Sequence, residues 1–292
     1  MLFRRSLYFL YYIKELDLRK FSKFLTFVAN NQRSSRIRII KDITVSSYKY
    51  NISILDYFLF RFHQISDDEK KSFAGTGYMY EYQLKMNPKK HRQVLENKIE
   101  FLQEYAAFIH HDHASLAQLE RETEKAEQLL HNSSGKVVLK SSTGQCGQGV
   151  EIIEAEDYTP NKLIQRLRAT GNDLVEEYVK QHKELMRLSS SGLNTIRIIT
   201  QLDPKNNVHI LGARLRISVN SIVDNLAAGN IAAPINIETG IVEGPGVYSD
   251  ITKSDEITHP RTGVPIEGFQ IPFWSETLQM AKKAASHNSS NR

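Results

Sequence analysis

The rhythm of apolar and polar positions changes once along this chain, near residue 135. Before that point the spacing is helical. Leu95, Ile99, Leu102, Ala106 and Ile109 recur at three- and four-residue intervals, which predicts a single helix with one buried stripe, opened by Pro88 after Asn87. Ser66-Asp-Asp-Glu69 and the pair Ser115 and Gln118 have capping-box spacing, and the second starts a helix predicted to run through the charged stretch to Leu130. After residue 135 short runs rich in β-formers take over: Val137 to Leu139, Val150 to Ile153, Leu174 to Val179, Thr195 to Thr200 and Val208 to Ile217. Asp-Pro-Lys-Asn-Asn at 203–207 joins the last two as a hairpin, Glu238-Thr-Gly240 and Arg261-Thr-Gly263 are turns, and a short helix follows from Ser275.

This pattern predicts an α+β chain in three parts: a helical leader over 1–44, a helical region over 45–134, and a strand-rich core over 135–292. Composition narrows the class. With 292 residues and 40% hydrophobic content there is enough material for real cores, which argues against disorder. The net charge of +5 is too thinly spread to predict nucleic acid as a partner; anionic ligands or an anionic lipid surface suit it better. Cys146 is alone, so neither an internal disulfide nor a thiolate zinc site is available, and a reduced, cytoplasmic setting is expected. The apolar run Leu7 to Ile13 falls well short of the roughly 20 residues that cross a bilayer. Its aromatic residues lie among Arg4, Arg5, Lys14, Arg19, Lys20 and Lys23, which leaves two readings: a helix packing its aromatic side on the domain, or a weak anchor at the inner membrane face.

The stretch KVVLKSSTGQCGQGVEII carries the most chemistry. Lys140 ends a strand, and Gly144, Gly147 and Gly149 follow before the chain turns apolar again. Glycine lets backbone amides approach phosphate oxygens while the ammonium supplies charge, so a polyphosphate suits the loop. A flexible hairpin tip with an incidental lysine is the plainer alternative. The spacing excludes a Walker loop, which needs Gly-Lys-Ser/Thr followed by a helix, and the dinucleotide fingerprint as well. Downstream, Leu174-Val-Glu-Glu-Tyr-Val179 is an apolar strand with two acids, able to pair its backbone with an adenine edge while an acid holds ribose hydroxyls. In ARLRI, Arg214 and Arg216 share one strand face and Leu211, Ala213, Leu215 and Ile217 the other, with Arg197 on the partner strand. Such clustered guanidinium groups call for an anionic ligand, or for acids from elsewhere in the fold.

In order, Lys140 with its glycine loop, LVEEYVKQH, LNTIRIIT, ARLRI, VDNLAAGN, the ETG turn, HPRTG and IPFW resemble the sugar-transfer-associated ATP-grasp family, related to alpha-L-glutamate ligases. Upstream, YFLFRFHQIS at 57–66 looks like the family's leader segment, and Val94-Leu-Glu-Asn-Lys-Ile-Glu-Phe101 like its helix with a phosphate-binding lysine, so the likeness spans about 45 to 280. It departs from the family at Ser141, where proline is usual, and at Asn97, where aspartate is usual.

The resemblance implies two lobes of mainly antiparallel sheet gripping ATP, with Lys98 and Lys140 on the phosphates and the 142–149 loop above them. Glu176, Glu177, Tyr178 and Val179 would form the adenine hinge. It implies carboxylate–amine ligation through an acyl phosphate in polysaccharide biosynthesis, with sugar-linked carboxylate and amine substrates. Arg197, Arg214 and Arg216 would stabilise developing charge, Asp224 and Asn225 would hold Mg²⁺, and Asn194 would line the acceptor side. His259 is a candidate substrate contact, though a loop histidine is commonly just solvated. The family's C-terminal Trp-Asp and Glu-x-Asn strands, which carry magnesium ligands, are not found before Arg292, so a truncated chain is expected. Two alternatives therefore stay open: a nucleotide-binding protein without turnover that serves as a scaffold, and a basic peripheral membrane protein.

Overall fold

A computed structural model of the chain describes residues 2–144 and 149–291. By their internal contacts these form two compact units, one of 1–88 with 248–255 and one of 89–247 with 256–292.

The first unit is helical: α1 (Leu2–Lys14), α2 (Leu18–Gln32), α3 (Arg36–Tyr50), α4 (Ile54–Leu59), α5 (Asp67–Lys70) and α6 (Thr76–Met86). Each boundary has a local cause. Asp17 accepts from the amides of Arg19 and Lys20 to start α2, and Ser35 caps α3. Ser53 and Asp56 form a full capping box on α4, and the expected box of Ser66 and Glu69 opens α5. The core is unusually aromatic. Phe24, Tyr57, Phe58 and Phe62 are buried with Val28, Ile39, Ile43 and Ile52, and many of the rings meet edge to face. The segment YFLFRFHQIS thus supplies core to this unit.

The second unit begins with a correction. The single helix expected over 88–109 is broken into α7 (Lys89–Arg92), a 3₁₀ turn, α8 (Lys98–Glu104) and another 3₁₀ turn. Asn97 causes the main break: its side chain accepts from the amides of Ile99 and Glu100, so a new helix starts at Lys98. Of the expected stripe Leu102 is buried, whereas Leu95 is half exposed. The helix starting at Ser115 has its predicted capping box but also breaks, at Glu122, into α9 (Leu116–Arg121) and α10 (Thr123–Leu130).

Strands β1 (His113–Ser115), β2 (Lys136–Lys140), β3 (Glu151–Glu154) and β4 (Leu174–Glu177) make an antiparallel sheet in the order β1-β4-β2-β3. Between β3 and β4 lies α11 (Pro160–Thr170), capped by Thr159, with proline in its first turn and Gly171 left-handed at its end. The period-two alternation of β2 decides which face is dry. Val137 and Leu139 pack with Val175, Ile153, Leu119, Leu129, Leu163 and Leu167 of the strands and helices. Val138 and Lys140 therefore point to the opposite face.

After α12 (Lys183–Leu188) come β5 (Thr195–Leu202), β6 (Val208–Ile217), β7 (Ile231–Ile235) and β8 (Val247–Tyr248), a second antiparallel sheet in sequential order, and then α13 (Trp274–His287). The 203–207 hairpin forms as predicted, with the Asp203 carboxylate accepting from the amides of Lys205 and Asn207 at 2.8 Å each. Ala213, Leu215 and Ile217 are buried as the alternation required, but Leu211 is 57% exposed. The pairing register shifts between Ile199 and Thr200, which face Gly212 and Ile210, so Leu211 is the extra residue of a bulge and leaves the buried row. The short helix expected from Ser275 begins at Trp274 and runs 14 residues. Gly240, at φ +73°, admits the Trp274 ring, where a Cβ would lie 2.3 Å from its Cγ.

Candidate functional site

The open face of the first sheet collects the charges that the alternation of β2 and β4 directs there. Val138 pairs with Glu176 and Lys140 with Leu174, so Lys140 and Glu176 share this face, diagonal to one another. Their side chains form an ion pair that is 21% and 13% exposed. His111 Nε2 is 3.4 Å from Glu176 Oε2, in contact with the carboxylate but too poorly aligned for a hydrogen bond. Burial alone would push the Glu176 carboxyl up; contact with His111 and the charge of Lys140 outweigh it and hold the group below the usual glutamate range.

Lys98 reaches the same place from the N-terminus of α8. Its ammonium donates to the carbonyl oxygens of Ser141 at 2.9 Å, Ser142 at 3.4 Å and Gly144, while its own amide donates to Ser142 O at 2.9 Å. Burial, then repulsion from Lys140, lower the Lys98 pKa, with Glu176 and Asp173 opposing. An anion beside both ammonium groups would offset their repulsion. The base of the loop is fixed from below, where Asp173 accepts from Ser142 N and Ser142 Oγ, both at 2.6 Å. Gly149 has φ +71°, the conformation in which glycine is least strained. Gly147 and Cys146 lie outside the described residues. In the segment expected to be the adenine hinge, Glu177 N donates to Asp112 O and Tyr178 N to Lys136 O, and Val179 is exposed just beyond them.

The second sheet also has a cationic open face. Arg197 and Arg214 are direct cross-strand partners and both are exposed, an arrangement of like charges that costs stability unless an anion lies over it. Arg216 differs, since Asp224 comes in from the following loop and pairs with it at 2.7 Å. The same carboxylate accepts the Thr195 hydroxyl.

The metal expectation fits poorly here. Both Asp224 oxygens face Arg216 and Thr195, Asn225 Oδ1 caps the amide of Ala227 at 3.1 Å, and among the described residues no three His, Cys, Asp or Glu side chains gather to hold an ion. Asn194 is buried with its amide spent internally, donating to Gln181, Leu185 and Ser189 and accepting from Ser218. His259, a candidate substrate contact with a solvated ring as the plainer alternative, is 2% exposed. Its Nε2 meets Ser218 O at 3.0 Å and its Nδ1 takes the amides of Arg261 and Thr262, so the ring ties two loops together. Asp173 and His111 were not singled out by sequence. The His-His-Asp-His run at 110–113 and the Asn-Asp pair ahead of β4 were the available signals.

Two four-stranded antiparallel sheets in one unit, each with charged side chains on its open face, define an α+β class. Residues 78–290, well over half of the chain, match the model of the sugar-transfer associated ATP-grasp family, and the protein belongs to that family. No curated protein matches it.

Proposed function

We propose that the protein binds ATP against the open face of the first sheet and uses it to activate a carboxylate for attack by an amine. The observation that carries this reading is the convergence of Lys98 and Lys140 at the base of the glycine-bearing loop. Lys140 would leave Glu176 for the phosphates, and Glu176 would then be released toward the ribose hydroxyls. The γ-phosphoryl group passes to a carboxylate oxygen as its bond to ADP breaks. The amine nitrogen next attacks the acyl carbon, phosphate leaves, and the amine loses a proton to solvent. Arg197 and Arg214 supply cations for the charge that builds on both transfers. In keeping with its family, the acceptor is assigned to sugar-linked carboxylates of polysaccharide assembly in the cytoplasm.

The test is ATP affinity by calorimetry together with ADP release in the presence of carboxylate and amine. Methionine at both 98 and 140 should lower affinity at least 100-fold; unchanged affinity overturns the assignment. The locked Asp224–Arg216 pair favours a second reading, nucleotide binding without turnover. ATP binding with no ADP released under any substrate would select it.

A further inference from the structure

The first unit holds a second cationic site, unrelated to the lysines of the sheet. It contains 16 lysines and arginines against 10 acids, a net +6 where the whole chain has +5, so the other unit is close to neutral at −1. Arg4, Arg5, Lys49, Lys70 and Lys71 line a cleft of about 760 Å³ in which Glu81 is the one lining acid. Several of these cations already have partners: Lys49 pairs with Asp67, Lys71 with Asp68 at 2.6 Å, and Arg4 lies 3.7 Å from Glu81. Lys70, its side chain 9% exposed, lies between Asp67 and Asp42 at 3.8 and 3.9 Å, and Asp42 also accepts the Tyr57 hydroxyl. Arg5 differs: it donates to the backbone oxygens of Tyr48 and Lys49 rather than to a carboxylate.

Along α1 the cleft gives way to an apolar groove of about 440 Å³, where Leu7, Tyr8 and Tyr11 face Gly77 and Tyr80 of α6. The walls approach closely: a Cβ on Gly77 would come within 2.4 Å of Tyr12 Oη. That hydroxyl is buried with no hydrogen-bond partner. Leu10 and Tyr11 of α1 and Leu18 at the start of α2 are exposed. No helix among the described residues is long and apolar enough to cross a membrane.

We propose that this unit seats on the surface of an anionic membrane, with a lipid phosphate in the cationic cleft and the adjoining acyl and ester region along the groove between α1 and α6. Cations at the start of α1 and apolar side chains further along it match the phosphate and the hydrocarbon of a phospholipid. A nucleic acid would use the cations and leave the apolar groove empty.

Flotation of the full chain with vesicles tests this. Vesicles of phosphatidylcholine with phosphatidylglycerol should bind it at least tenfold better than phosphatidylcholine alone, and half-molar salt should reverse most of the difference. Arg5→Gln and Lys70→Gln should each weaken binding about fivefold. Arg4→Gln, at a largely exposed rim position, serves if the buried Lys70 change unfolds the protein. The double change Leu7→Ser, Tyr11→Ser should weaken binding about tenfold with the melting temperature unchanged, and Lys205→Gln on the 203–207 hairpin of the other unit should have no effect. Equal binding to both vesicle types, undiminished binding by the charge variants, or binding of soluble glycerol phosphate with no vesicle binding overturns the proposal.

Discussion

The two sheets solve one electrostatic problem in opposite ways. In the first, the cation of the open face is partnered inside the sheet: Lys140 rests on Glu176 with both side chains mostly out of solvent. In the second, Arg197 and Arg214 face each other at the surface without an acid partner among the described residues, and the acid of Asp224 goes to Arg216 instead. A paired, half-buried lysine must give up a partner before it can hold an anion, so its site is stable when empty and binding pays for the exchange. Opposed exposed arginines gain from an anion at once and lose stability without it. The first sheet thus balances its own charge, and the second leaves two like charges opposed.

This contrast can be broken by mutation. The largest effect is expected for Lys140→Met, which strands Glu176 in a mostly buried position: a loss of about 3 kcal/mol in chemical denaturation, with ATP affinity down about 100-fold. Next is Asp173→Ala, which removes two charge-assisted hydrogen bonds from the buried Ser142 and should cost about 2 kcal/mol by the same assay. Arg214→Ala should behave in the opposite sense. Stability should hold within about 0.5 kcal/mol or rise slightly, because a like-charge pair is relieved, while any substrate-dependent ADP release falls at least tenfold. If Arg214→Ala instead destabilises as much as Lys140→Met, the two sheets are alike and the comparison fails.

The smallest effects are in pH. Glu176 has a folded pKa below its unfolded value, so its contribution is present above pH 4.5 and is lost as pH falls through the folded value; Glu176→Gln should flatten that part of the acid-stability curve. Asp203, held at about 2 against 3.8 by the hydrogen bonds of Asn207, follows the same sign on the second sheet. Its share is complete above pH 3.8 and lost toward pH 2, so Asp203→Asn should remove a shallow slope in that window, read as melting temperature against pH.

How far these features were legible depends on how local their causes are. Strands β2, β3, β5 and β6 follow from alternation and turn residues, and both predicted capping boxes form because each is completed within four residues. The helix at 88–109 was misread because a hydrophobic period does not reveal where a cap interrupts it, and Asn97 does so through its own side chain. α11 carried a full local signature in Thr159-Pro160, Leu163, Leu167 and Gly171 that went unread among the strand signals. Strand β7 was hidden by Pro234 and its small residues, which are tolerated because the neighbouring β6 supplies the large side chains.

By itself the sequence determined that Lys140 ends a strand ahead of a glycine loop, that Arg214 and Arg216 share a face, and that the chain is α+β. All of these follow from backbone sterics and side-chain periods acting over a few residues. The tertiary structure alone decided that Lys98 meets the loop 43 residues later, that Glu176 neutralises Lys140, and that Asn194 and His259 turn inward. Those outcomes depend on strand register and on which buried polar groups still need a partner after the cores have closed, and neither quantity exists until distant segments pack.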